Sequence, residues 1–210
     1  MTFHKLINYN KFMKYQDLTA AIDAPIFSRQ DLSIHWLKVY DYQFTLWIKK
    51  GYLVRLRNGL YAFARDVDRI KREEVAHLLY PPSYISLESA LSFYGFIPEM
   101  VHANTSVTAR INRRFDNGFG GFIYRHIKKA LFWGYAPVTT ENGVYLLAEP
   151  EKALLDYLYL NLAGMRRQAD FDAIRLNYDQ MSDHLDADKF RRYLAAFNIK
   201  KLNHWALKCL

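Results

Sequence analysis

Residues 41–63, DYQFTLWIKKGYLVRLRNGLYAF, constrain the fold more than any other stretch of the chain. Asp41 is expected to cap a helix, its carboxylate accepting from the free amides of the first turn. Phe44, Trp47, Ile48 and Gly51 fall at i, i+3, i+4 and i+7, the spacing of a helix face built for a core. Gly51 follows the last periodic residue and suits a left-handed helix stop. Tyr52 to Leu56, the turn Arg57-Asn58-Gly59 and Leu60 to Phe63 then read as a tight hairpin, because Asn and Gly both tolerate positive φ. A short helix running into a basic hairpin is the order of a winged helix-turn-helix.

The opposite helix face is expected to carry Tyr42, Gln43, Thr45, Lys49 and Lys50, and the hairpin adds Arg55, Arg57 and Asn58. Cations of this kind suit phosphates, and amides and hydroxyls suit base edges or the sugar-phosphate backbone. Leu46 also points outward on this wheel, either to touch a thymine methyl or to pack on the preceding helix. The alternative reading is a small helix-hairpin unit with a solvated basic face. Upstream, residues 3–22 hold a helical candidate closed off by Pro25. Ser28 can cap a second helix, with Asp31 completing a capping box. Ile26, Phe27, Leu32, Trp36 and Leu37 would supply its apolar contacts. Charge is concentrated in the same region. Of a net +8, residues 1–65 hold ten Lys/Arg against four Asp/Glu, a net of +6, as phosphate attraction would require.

With 210 residues, 51% hydrophobic and 16% aromatic, the chain can bury a real core in one large domain or two small ones. The lone Cys209 makes no intrachain disulfide and no cysteine metal cluster, which points to a reducing cytosol. The first ten residues, MTFHKLINYN, lack the phases of a signal peptide. No run approaches the ~20 apolar residues of a membrane span. A soluble, cytoplasmic protein without membrane contact is expected.

The pattern predicts an α+β chain. An N-terminal winged helix-turn-helix would cover 1–65. A mixed helix/antiparallel-sheet domain with C-terminal helices would cover 70–210, and Arg65 to Arg69 would connect them. In the second part, Lys71 to Tyr80 reads as a helix ended by Pro81-Pro82. Ser86 would cap a helix through Tyr94, with Gly95 as its stop. Strands are expected over Thr105 to Ile111, Gly121 to Ile127, Leu131 to Val138 and Val144 to Ala148. Pro150 would open a largely buried helix to Leu162, leaving a narrow polar stripe around Lys152 and Asp156. Asp186 would cap a helix over Ala187 to Phe197, and a last helix would cover Lys201 to Cys209.

No constellation carries chemistry. Glu149, Glu151 and Asp156 lie close in sequence, but Glu151 and Asp156 fall on different faces of one helix, and the first two read as partners of the helix dipole. Seven histidines are scattered with no pair at metal-ligand spacing. Ser86 and Ser89 lack a GxSxG elbow, and Gly118-Phe119-Gly120-Gly121 lacks the Lys-Ser/Thr of a phosphate loop. No catalytic residue, metal or cofactor is assigned. Arg110, Arg113, Arg114, Arg125, Lys128 and Lys129 are interleaved with Phe115, Phe119, Phe122, Tyr124, Phe132 and Trp133. This pattern is either an ordinary sheet with a basic outer face or a stacking platform for single-stranded nucleic acid or an acidic partner.

The segments WIKKGYLVRLRNGLYAF, YISLESALSFYGFIPE, TSVTAR, IYRHIKKALFWGY and LAEPEKALLDYLYL, in this order from about Leu46 to Leu160, resemble the AbiEi family of antitoxins from type IV toxin–antitoxin systems. The resemblance covers over half the chain, and SLESAL followed by PEKALLD is its most specific part. It implies a winged helix that binds operator DNA and represses its own operon; because a single winged helix covers only a half-site, two copies are expected on an inverted repeat. It also implies a second domain that counters a nucleotidyltransferase-like toxin without requiring a stable complex. No neutralising residue carries over. A stand-alone regulator, or a protein- or RNA-binding module without a toxin, is the other reading.

Overall fold

The computed structural model describes residues 13–98 and 101–210. The chain divides into two compact units, Met1–Ile70 and Lys71–Leu210. Among the described residues the fold is a mixture of helices and sheets, α+β as the pattern predicts.

In the first unit the helix expected over 3–22 is present as α1 (Tyr15–Ala21), and residues 1–12 lie outside the described residues. Next comes β1 (Ile26–Ser28), then α2 (Arg29–Ile34), opened by the expected capping box between Ser28 and Asp31. Trp36, expected in the core, is instead 81% exposed. It takes a left-handed φ of 54°, which turns the chain out of α2 and carries its ring off the apolar face. Helix α3 (Asp41–Lys49) leads to the hairpin of β2 (Leu53–Arg57) and β3 (Leu60–Phe63). The sequence pattern gives no sign of β1. It pairs with β3 and makes an antiparallel sheet in the order β1-β3-β2, so all four residues of the central β3 are buried. The stretch expected as a connector is a 3-10 helix, Ala64–Arg69.

The second unit begins with α4 (Arg72–Leu79), β4 (Ser83–Ile85) and α5 (Leu87–Phe93). Strands β5 (Ala103–Thr108), β6 (Arg113–Asn117), β7 (Gly120–His126), β8 (Tyr135–Thr139) and β9 (Val144–Ala148) follow. The described strands form one sheet in the order β6-β7-β5-β4-β9-β8. It is mixed rather than antiparallel, because β5 runs parallel to β7 and β4 parallel to β9. The antiparallel expectation assumed strand-to-strand hairpins. It missed β6, which pairs with β7 and lets β7 return alongside β5 in the same direction. The strand expected over Leu131 to Val138 is broken. A 3-10 turn at Lys129–Leu131 precedes Gly134, whose φ of +76° redirects the chain into β8.

The register places Tyr84, Val107 and Arg125 in one cross-strand row and Ile85, Ser106 and Tyr124 in the next, so the two rows face opposite sides of the sheet. On Tyr124's side lies α4, where the Tyr124 hydroxyl donates to the Ala76 carbonyl at 2.6 Å. On Tyr84's side lie α5 and α6 (Pro150–Asn161). Helix α5 ends as its sequence predicts. Gly95 is left-handed, its N–H donates to Ser92, and Phe96 N–H donates to Leu91 at 2.8 Å. Helices α7 (Gln168–Asp172), α8 (Tyr178–His184), α9 (Ala187–Phe197) and α10 (Lys200–Ala206) complete the unit. Asp186 caps α9 as expected, accepting from Asp188 and Lys189 N–H at 2.9 Å. A 3-10 turn, Leu207–Cys209, ends the last helical stretch.

The polar stripe expected on α6 is not at the surface. Lys152 and Asp156 are both fully buried and ion-paired one turn apart. The Tyr84 hydroxyl (2.8 Å) and the Ser86 hydroxyl (3.0 Å) donate to Asp156, and Lys152 Nζ also donates to Tyr84 at 2.8 Å. Ser86 therefore gives its hydroxyl to Asp156 instead of capping α5. Burial pushes the Lys152 ammonium down and the Asp156 carboxyl up, and each is opposed by the other's charge. Glu149 and Glu151 do more than face the dipole. Both pair with Lys189 at 3.1 Å, and Glu151 accepts from Asp186 N–H at 3.0 Å, which ties α9 to the start of α6. Asp156→Ala leaves a buried ammonium without its counter-charge and should cost about 3–5 kcal/mol of unfolding free energy. Urea denaturation of the two proteins measures this. A loss below ~1 kcal/mol would mean that the pair contributes little.

Candidate nucleic-acid interface

Helix α3 begins differently from its sequence. Tyr40 is the N-cap and Asp41 the first helical residue, so the Asp41 carboxylate does not cap the helix. Gln43 closes the first turn instead, its Oε1 accepting from Tyr40 N–H at 3.0 Å. Its Nε2 donates to the Met13 carbonyl at 2.6 Å. Gln43 is therefore buried at 5% exposure and leaves the outer face to which the helical wheel assigned it. The wheel places a side chain by angle alone; the bond to Tyr40 is the local reach of a capping box, but the Met13 carbonyl thirty positions back lies outside any helix period.

The remaining expected residues are at or near the surface. Tyr42, Thr45, Lys49, Lys50, Arg55 and Asn58 are exposed, and Arg57 is half-buried with Nη1 donating to the Asn58 carbonyl at 3.0 Å. Tyr42 is stacked on Tyr40 at 6.1 Å. Leu46 is 44% exposed, outward as the helical wheel places it. At the helix end, Gly51 has φ +71°, its N–H donates to Ile48 at 3.0 Å and Tyr52 N–H donates to Trp47 at 2.9 Å. This reciprocal pair satisfies two terminal carbonyls and starts β2 at a set angle. In the hairpin turn only Gly59 takes positive φ, and the ladder shifts register between Arg55 and Arg57. A bulge of this kind bends the strand and increases its twist.

What joins helix to hairpin is aromatic. Phe44 stacks on Tyr61 with ring centroids 4.3 Å apart and planes at 8°, while Trp47 meets Phe44 edge-on at 6.2 Å. Between α3 and the hairpin turn lies an open cleft of about 480 Å³, lined by Arg29, Asp41, Thr45, Arg55, Asn58 and Tyr61 among others. Arg29 is the member that sequence reasoning missed. It forms an ion pair with Asp41 and stands 5.2 Å from the Phe44 ring. Hydrogen bonding to the Tyr61 hydroxyl and then to Asp41 raises its already high pKa. Arg29 and Asp41 lie twelve positions apart on different helices, so neither helix periodicity nor strand alternation links them.

The basic residues of the second unit do not form one platform. Arg113 and Arg114 lie on the edge strand β6, where Arg114 pairs with Asp116 at 3.0 Å and Arg113 stands 5.7 Å from the Phe115 ring. Arg110 lies over Tyr80 at 4.3 Å and donates to the Pro81 carbonyl at 3.1 Å. Arg125 faces the side of the sheet opposite Arg113, the side that Arg114 shares through its register partner Ile123. Its two terminal nitrogens donate to Asn161 Oδ1 at 2.9 Å and the Leu160 carbonyl at 2.6 Å, at the end of α6. There it lines a largely apolar cleft of about 440 Å³ with Glu88, Ile97, Ile123, Tyr157 and Ile174. Lys128 and Lys129 are exposed, but Phe122 and Tyr124 are core residues and offer no ring to a base.

Among the described residues no helix is long and apolar enough to cross a membrane. Comparison with protein-family models finds no match to this chain, and comparison with curated proteins finds none either.

Gly51 ends α3 in a left-handed conformation. A Cβ there would meet nothing within 4 Å, so Gly51→Ala carries only the penalty of the left-handed backbone. That is about 1 kcal/mol of unfolding free energy, measurable by urea denaturation. A variant as stable as the parent would show that the helix stop does not need glycine.

Proposed function

We propose that the chain is a DNA-binding repressor of the AbiEi antitoxin type, with its first unit acting as a winged helix on operator DNA. In this reading α3 enters the major groove and the β2–β3 hairpin is the wing that follows the backbone. The observation that carries the proposal is the open cleft between α3 and the hairpin turn. Arg29, Arg55 and Asn58 line it, and Lys49 and Lys50 are exposed on the adjoining helix. The net +6 of residues 1–65 supports the same reading, because a groove-binding face needs an excess of cations to displace the counterions of DNA.

Tyr42, Thr45, Lys49 and Lys50 are the helix contacts and Arg55, Arg57 and Asn58 the hairpin contacts, with Gln43 withdrawn to a structural role. One unit of this size covers a half-site, so two copies would engage an inverted repeat. The second unit would antagonise a nucleotidyltransferase-like toxin in the cytoplasm, without itself performing catalysis. The DNA-binding part of the reading also serves a stand-alone regulator. Burial of Phe122 and Tyr124 removes two of the six rings of the basic-aromatic region from a base, and Arg125 is engaged at the end of α6, which weighs against single-stranded RNA there.

Fluorescence anisotropy with the duplex upstream of the protein's own gene tests the proposal. Wild type should prefer that duplex to a scrambled one, and log K should fall with log salt by about 0.9 per phosphate engaged. The double reversal Lys49→Glu/Arg55→Glu should weaken binding at least about tenfold, roughly 1.4 kcal/mol. Equal, weak binding by both proteins would reduce the helix and hairpin to a structural unit.

A further inference from the structure

Arg29 touches three walls of the cleft in the first unit. Its backbone N–H donates to the Gly59 carbonyl at the hairpin turn at 3.0 Å. Its guanidinium pairs with Asp41 at the start of α3, and the same group stands 5.2 Å from Phe44 on the cleft floor. The pair is open to water, with side chains 51% and 80% exposed. Exposed ion pairs of this kind are weak and exchange readily. Two guanidiniums, Arg29 and Arg55, thus share the cleft with one carboxylate. A guanidinium presents parallel N–H groups that a phosphodiester accepts as well as a carboxylate does, with two oxygens. The first-turn amides of the nine-residue α3 lie at the same end of the helix and also favour an anion.

Resting on the DNA-binding reading above, we propose that this cleft seats one backbone phosphate of the duplex. Arg29 exchanges Asp41 for the phosphate, and Asp41 is a resident counter-charge that binding displaces. Arg29 then fixes the register of α3 on the backbone and reads no base. Asp41 holds Arg29 in place in the free protein and repels the incoming phosphate, so it withholds part of the affinity.

The test uses the full chain, the duplex upstream of its own gene and a scrambled duplex of equal length, titrated across a salt series. Arg29→Gln should weaken binding to both duplexes by a similar factor, about tenfold. It should also make the salt slope shallower by about 0.9, the signature of one lost phosphate contact. Asp41→Asn should tighten binding to both, by about threefold for one nearby unit charge in high dielectric. Arg29→Lys keeps the charge and should retain the wild-type slope with reduced affinity, which covers the case in which the Gln variant folds poorly. Wild-type affinity and slope in Arg29→Gln would overturn the proposal. So would an Asp41→Asn protein that binds as weakly as Arg29→Gln, since Asp41 would then serve only to position Arg29. In either case the Lys49→Glu/Arg55→Glu variant keeps the two ideas apart. If that double reversal still abolishes binding, the DNA-binding reading survives the loss of the phosphate seat.

Discussion

The face-to-face contact of Phe44 with Tyr61 sets what the first unit can present to a partner. Phe44 comes from α3 and Tyr61 from the central strand of the small sheet, and their rings lie nearly parallel at 4.3 Å. Tyr61 also meets Phe27 of β1 at 5.9 Å, so one ring joins both outer layers to the middle strand. Stacked aromatic pairs add roughly 0.5–1.5 kcal/mol beyond the area they bury. Their larger effect is directional. With α3 held against β3 at one angle, Asp41 and Thr45 of the helix, Arg29 of α2 and Arg55 and Asn58 of the hairpin open onto the same cleft.

The second unit is organised around a charge pair rather than a stack. Lys152 and Asp156 sit at zero exposure, and Tyr84, Trp133 and Phe197 surround the ammonium at 5.2–5.4 Å. Desolvating two charges is costly, and apolar residues of the same volume often serve stability as well or better. What the pair adds is selectivity of packing. Among the described residues Asp156 accepts from the Tyr84 and Ser86 hydroxyls and from Lys152, which come from β4, the loop beyond it and one turn back on α6. Slippage of α6 by a residue would strand a charge. Gly134 belongs to the same arrangement, because a Cβ there would lie 3.0 Å from Lys152 Cγ.

Most of the site was legible because its signals are local. The Asn-Gly turn, the glycine that ends α3 and the exposed positions of Lys49, Lys50 and Arg55 follow from chirality and period within a few residues. Gln43 and Arg29 were misread or missed for the opposite reason. Gln43 is drawn inward by the Met13 carbonyl, thirty positions away, and Arg29 meets Asp41 across two helices. Neither contact has a spacing that a sequence pattern could register.

The same division runs through the fold. The sequence by itself determined the side-chain-capped helices α2 and α9, the glycine-stopped α5, the proline-opened α6, the hairpin and the strand β9, since caps, turns and alternation are encoded in neighbouring residues. Tertiary structure alone decided that β1 joins the hairpin, that the larger sheet mixes parallel with antiparallel pairs, and that the polar stripe of α6 lies inside. Each of these depends on which distant segment supplies the missing hydrogen-bond partner or counter-charge. A buried donor or charge is tolerated only once that partner is in place.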